Sequence, residues 1–204
     1  MSLSDDTAHA EAGQQHTRLA KLTPDRLDAE QHELYEQIAL GPRATGPQHF
    51  PLIDGNGALT GPFGIMLHAP ELGRSLQELG AAIRYRTSLS PRVREIAILS
   101  VAAATSCAFE AYAHEKVGRA AGLSKTELES LASGTFESDD PAEAAAYSLC
   151  GMLNADDFPV DDSVYEFLRD QLGEAALIEL IVLAGYYRTL SQLLNFFEVG
   201  PPTE

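Results

Sequence analysis

The stretch EAALIELIVLAGYYRTLSQLLNFFE, residues 174–198, decides the fold class. Apolar and aromatic residues from Leu177 to Phe197 fall on every side of a helical wheel. A helix of that kind is buried all round. Glu179, Arg188, Gln192 and Asn195 interrupt it, so it does not read as a transmembrane span. In a chain of 204 residues it is either the central helix of a bundle or a helix half-covered by another subunit. The second option, a symmetric homo-oligomer, is the expectation.

Working outward, the same helical grammar recurs. Ser90-Pro91 pairs an N-cap residue with proline at the first helical position and opens a helix through Ala104. Thr105-Ser106 are N-cap types, so a new helix, or a kink in the same one, is expected at Cys107, running to Gly122. Ser124 with Glu127, and Asp140 with Glu143, have capping-box spacing. Asp161 or Asp162 caps a helix that ends before Gly173.

Upstream, Thr23-Pro24 predicts a helix carrying Leu27, Leu34 and Ile38, stopped at Gly41-Pro42. Pro62 to His68 suits a short helix, and Pro70 opens another with Leu72, Leu76, Leu79 and Ile83 on one face. Between them, residues 41–62 hold five glycines and four prolines. That is a long loop, and His49, Phe50, Leu52 and Ile53 make it an ordered one that covers something. No segment alternates with period two between hairpin turns. The expectation is an all-α bundle of seven to nine helices, residues 23–204 forming one domain behind a flexible tail, residues 1–22.

The charge balance, 14 basic against 30 acidic residues for a net −16, argues against nucleic acid and against anionic membrane surfaces. It leaves small anions open, because a few local arginines can outvote a global field. Two cysteines, Cys107 and Cys150, are too few for a secreted disulfide scaffold. The start MSLSDDTAHAEAGQQH has no apolar signal region, so a cytoplasmic setting is the expectation.

Chemistry concentrates in two neighbouring segments. In one, Glu95 sits between the apolar Ile96 and Ile98 on one side and Arg94 on the other. In the next, Cys107, Glu110 and His114 stand at i, i+3 and i+7, on one helical stripe. A thiol in a first turn has a lowered pKa, and a desolvated carboxylate has a raised one. Thiol, carboxylates and imidazole together handle protons. The plainer readings are a core cysteine, a surface Glu110–His114 pair, and Glu95 as the buried partner of Arg92 or Arg94. Glu110 and His114 lack a second ligand pair, and the chain departs from the zincin pattern after His114-Glu115, so no metal site is expected.

Residues 89–131, LSPRVREIAILSVAAATSCAFEAYAHEKVGRAAGLSKTELESL, resemble the carboxymuconolactone decarboxylase family, which includes the AhpD-type alkylhydroperoxidases. The AhpD motif is Glu, eleven residues, Cys-x-x-Cys, three residues, His. Glu95, Cys107 and His114 occupy its Glu, first-Cys and His positions, and Glu110 stands where the second cysteine would be. The stretches 57–73 and 179–197 extend the resemblance over roughly residues 22–200. It implies an AhpD-like helical bundle, no metal or organic cofactor, and a trimer or hexamer, with a dimer as the other option.

The departure selects the chemistry. A peroxidase cycle of the AhpD kind needs two vicinal thiols. Cys150 is 43 positions from Cys107, so the motif itself cannot form a disulfide. The resemblance then points to the acid–base decarboxylase branch, acting on a small, carboxylated lactone or carbonyl substrate. His114 would give or take the proton, Glu95 would orient His114 or serve as the second acid or base, and Glu110 would bind or shuttle a proton. Arg84, Arg86 or Arg92 would hold a substrate carboxylate, and Phe63, Met66 and His68 would wall the pocket. The alternatives are a peroxidase using Cys107 alone and a non-enzymatic small-molecule-binding protein.

Overall fold

The computed structural model describes residues 17–45 and 48–202. Ten α-helices follow one another: α1 Ala29–Ala39, α2 Pro42–Thr45, α3 Pro62–Met66, α4 Pro70–Tyr85, α5 Pro91–Ala104, α6 Ala108–Ala120, α7 Lys125–Ser133, α8 Pro141–Ala155, α9 Asp162–Leu172 and α10 Glu174–Phe196. No strand occurs among the described residues; Ile53 and Leu59 make one isolated bridge. The all-α class is as read from the sequence. The count exceeds seven to nine because α2 is a four-residue helix inside the segment read as loop.

The centre of the bundle is α5, not α10. Val93 and Glu95 to Ala102 are buried, and α6, α7, α8 and α10 all pack around this helix. Helix α10 is long and apolar enough by composition to cross a membrane, yet half of its apolar window is buried in the protein. Its other face is open: Ile178, Ile181, Val182 and Phe196 are exposed in the single chain. Burial on every side, expected from its composition, is therefore not supplied by this chain alone.

Local chemistry explains where the boundaries moved. Thr23-Pro24 starts only a single 3-10 turn; α1 begins later, at an Asp28–Gln31 capping box that satisfies two free backbone donors. Ser124 and Glu127 form the expected box, whereas Asp140 caps α8 alone. Glu143 cannot return to that cap because Arg92 and Ser138 hold its carboxylate. Residues 17–22 are not a loose tail. Arg18 pairs with Glu198, its backbone N–H donates to the Phe197 carbonyl, and Leu19 and Leu22 pack on the core. Residues 1–16 of the expected tail, and Gly46 and Pro47 of the expected loop, lie outside the described residues.

The α5–α6 junction matters most for the site. Cys107 N–H donates to the Ala102 carbonyl and Ser106 N–H to the Ala103 carbonyl, the paired bonds of a Schellman turn. Ser106 takes the left-handed position, φ 51°, that glycine usually fills. The turn folds α6 back along α5, and Cys107 becomes the residue before the helix rather than part of its first turn.

Candidate functional site

That reversal lays the polar stripe of α6 against the buried carboxylate of α5. His114 Nδ1 lies 2.6 Å from Glu95 Oε2, a short charge-assisted hydrogen bond. His114 Nε2 lies 3.4 Å from Glu110 Oε2, ion-pair range rather than a tight bond. Glu95, Glu110 and His114 are 1%, 3% and 4% exposed, so water screens them little. Helix α10 closes the group: the Tyr187 ring meets His114 edge to face at 5.1 Å, and Tyr186 meets Tyr187 in the same way at 5.3 Å.

The satisfaction of these groups is incomplete. Among the described residues, Glu95 Oε1, Glu110 Oε1 and Ser191 Oγ are buried without a hydrogen-bond partner, although Arg94 Nε stands 3.6 Å from Glu95 Oε1. Buried polar atoms are nearly always satisfied, so three orphans around one imidazole and one thiol mark a place where chemistry competes with stability.

Burial dominates the proton affinities here. It pushes the Glu110 carboxyl up to about 7, with the Glu95 charge adding to the effect and His114 opposing it. Burial also raises the Cys107 thiol, against the pull of nearby backbone N–H groups and Ser191. The lowered thiol expected from a first-turn position does not occur, because Cys107 precedes the helix and is buried. Burial pushes Cys150 up to about 12 within the main core. Tyr187 is raised well above the ordinary phenol value by burial and then by Glu110 and Glu95, so its hydroxyl keeps its proton.

Two cavities approach this group. A groove of about 430 Å³ between α5, α6 and α7 has Leu99, Ala103, Cys107 and Leu128 in its walls. A cleft of about 40 Å³ is lined by Arg43, His49, Phe50, Phe63, Arg84 and Val117, among others. The groove reaches the thiol, and the cleft reaches Val117, less than one turn beyond His114. Neither wall includes Glu95, Glu110 or His114.

The structure therefore brings Glu95, Cys107, Glu110 and His114 together, and sets Phe63 and Arg84 at the neighbouring cleft. The other four expected residues lie elsewhere. Met66 faces the core against Leu34 and Gly73. His68 Nε2 bonds the Ala20 carbonyl and anchors the N-terminal segment. Arg86 ends α4 in solvent. Arg92 joins Glu143, Glu127 and the Gly122 carbonyl, clamping α5 to α7 and α8. Tyr186, Tyr187, Ser191, Arg43 and His49 were not singled out as site residues from sequence. A paired tyrosine inside an apolar helix was the available signal, since a buried hydroxyl needs a reason.

Residues 70–149, α4 to α8, match the sequence profile of the carboxymuconolactone decarboxylase family. This segment, less than half of the chain, carries the likeness to that family. It contains Glu95, Cys107, Glu110 and His114, whereas the tyrosines of α10 and Arg43 lie outside it. Solved structures extend the likeness to nearly the whole chain. An uncharacterized peroxidase-related protein with an alkylhydroperoxidase AhpD core, from Ralstonia eutropha JMP134, superposes with TM-score 0.72 at 14% identity, covering 91% of this chain and 92% of its own. An uncharacterized peroxidase-related protein from Silicibacter sp. TM1040 gives 0.70 at 12% identity, covering 96% of each chain. An Agrobacterium tumefaciens protein of unknown function, linked to AhpD-type antioxidant defence, gives 0.61 at 20% identity, covering 69% of this chain and 97% of its own. At these identities the likeness establishes the AhpD-like fold. No curated protein matches the chain in sequence.

Proposed function

We propose that the chain is a cofactor-free acid–base enzyme, acting on a small carboxylated lactone or carbonyl compound by decarboxylation or a related lyase or isomerase step. The observation that carries this reading is the Glu95–His114–Glu110 line, with a carboxyl that holds its proton up to about pH 7 in the second-cysteine place. With Nδ1–H donating to Glu95, His114 turns Nε2 toward Glu110 as an acceptor. The pair can then take a proton from, or return one to, a carbon beside a carbonyl. In a decarboxylation the carbon–carbon bond breaks, its electron pair enters the enolate, carbon dioxide leaves, and the Glu110 carboxyl protonates the carbon, directly or by way of His114 Nε2. Tyr187, neutral and close by, supplies a hydroxyl toward developing enolate charge. The enzyme works in the cytoplasm as a homo-oligomer, with the open face of α10 as the contact.

The test is proton NMR in D2O with a panel of γ-lactone carboxylic acids and oxo-carboxylic acids, reading substrate loss and deuterium uptake. His114→Gln and Glu95→Gln should each lower turnover by about 100-fold or more. Turnover that survives both changes would defeat the reading.

A second reading, a one-thiol peroxidase, is favoured by one observation, the presence of Cys107 in the wall of the larger groove. Its raised pKa counts against it, since the thiolate is the nucleophile. Mass spectrometry after limiting peroxide decides: a sulfenic acid at Cys107 supports the peroxidase, and an unmodified thiol removes it.

A further inference from the structure

The cleft beside the buried trio holds an imbalance of charge. In a chain with a surplus of sixteen acidic groups, partly buried arginines should all find carboxylates. Arg74 has Glu33, Arg92 has Glu127 and Glu143, and Arg94 stands beside Glu95. Arg26 and Arg86 are exposed and need none. Arg43 and Arg84 differ: both are half-buried, and neither has a carboxylate partner among the described residues. Arg43 stands 4.9 Å over the Phe63 ring, with its Nε 3.5 Å from Gln77 Oε1. Arg84 lies 5.8 Å from the Tyr85 ring centroid. Such contacts hold a guanidinium in place without neutralising it.

The two arginines come from different elements, α2 and the end of α4, and converge on one cleft with His49. Gly80 makes the approach possible. A methyl group there would collide with the Tyr186 hydroxyl and come 2.8 Å from Arg43 Nη2. Tyr186 leads to Tyr187, which meets His114 edge to face and feels both Arg84 and Glu110. Phe50, Phe63 and Val117 supply apolar walls, which strengthen any charge pairing inside. The cleft's 40 Å³ is room for about three waters. That suits the head of an acid and not a whole substrate.

We propose that this cleft is the anchoring subsite for a small organic acid, whose carboxylate Arg43 and Arg84 clamp while its reacting carbon lies past Tyr187, toward Glu110 and His114. A carboxylate between two guanidiniums is stabilised as an anion, so it is the anchor and not the group that leaves as carbon dioxide. A decarboxylation at this site therefore takes a substrate with two carboxylates, and an isomerisation takes one. The direction of the bound molecule rests on the acid–base reading above; the binding of the anion does not.

The experiment is an acetate titration of the full chain, observed at the arginine side-chain Nε–H resonances by NMR. Acetate should shift the Arg43 and Arg84 signals saturably, and the uncharged ester methyl acetate should not. Arg43→Met and Arg84→Met should each weaken acetate binding at least tenfold, and Arg43→Lys and Arg84→Lys severalfold, since a lysine keeps the charge but loses the fork. Arg169→Met, on exposed α9, should leave it unchanged. The proposal fails if acetate moves neither signal saturably, if methyl acetate acts alike, or if folded Met or Lys variants bind as the parent does. Glu110→Gln separates the two readings: it should bind acetate normally and lose turnover. Normal acetate binding with turnover intact would sink the acid–base mechanism and leave the anion subsite standing.

Discussion

Glu110 is the residue on which the chemistry turns. A carboxylic acid whose pKa rises from about 4.5 unfolded to about 7 folded binds more protons in the native state between those values. Stability then falls as pH rises through that window, by about 3 kcal/mol in all for such a shift. Glu110→Gln removes this dependence. Urea denaturation should therefore show the variant gaining on the parent by about that amount between pH 5 and pH 8. A second prediction concerns the same position. Glu110→Cys restores two thiols with Cys-x-x-Cys spacing at the start of α6. Peroxide should then form a disulfide across the motif, reducing the alkylatable thiols under denaturing conditions from three to one. The parent, with Cys107 and Cys150 in separate clusters of the core, should keep both.

At the scale of elements, the α5–α6 turn and the Arg92 clamp hold the site without touching it. Ser106 pays a left-handed backbone conformation with a side chain that makes it unfavourable. Ser106→Gly should stabilise the protein by about 1 kcal/mol, read as a higher melting temperature, with the His114–Glu95 geometry kept. Arg92 pulls the Glu127 carboxyl down to about 2 and holds Glu143 below its ordinary range. Lowered acids stabilise above their unfolded pKa, so the clamp is fully present above about pH 5 and fades as pH falls toward 2. Arg92→Met should cost about 1–3 kcal/mol near neutrality, because it strands the Glu143 carboxylate, and the gap to the parent should close in acid. Chemical denaturation along a pH series checks both parts. These elements were also the most legible in sequence. Proline after a cap residue marked α5, and Ser124 with Glu127 marked α7, because such signals act within one turn of chain. Asp140 with Glu143 misled, since a distant arginine outbid the local bond.

For the whole molecule, the open face of α10 sets the expectation. Ile178, Ile181 and Val182 are exposed on a helix whose other side is core, a cost that a second copy would remove. Ile178→Glu with Val182→Glu should shift sedimentation from oligomer to monomer, and a parent that already sediments as a monomer refutes this. Periodicity and local hydrogen-bonding grammar determined the helices, and motif spacing aligned Cys107, Glu110 and His114, because residues on one helical stripe share a face wherever the helix goes; Glu95 joins them only through the α5–α6 turn. What the tertiary structure alone decided was the environment. Folding α6 back on α5 buried Cys107 and turned an expected reactive thiol into a raised one. Packing α10 across them brought Tyr187 to the imidazole and Ser191 to the Cys107 thiol, and α2 set Arg43 beside Arg84. Burial and cross-helix contact depend on residues far away in sequence, and a pKa follows its surroundings, not its position in the chain.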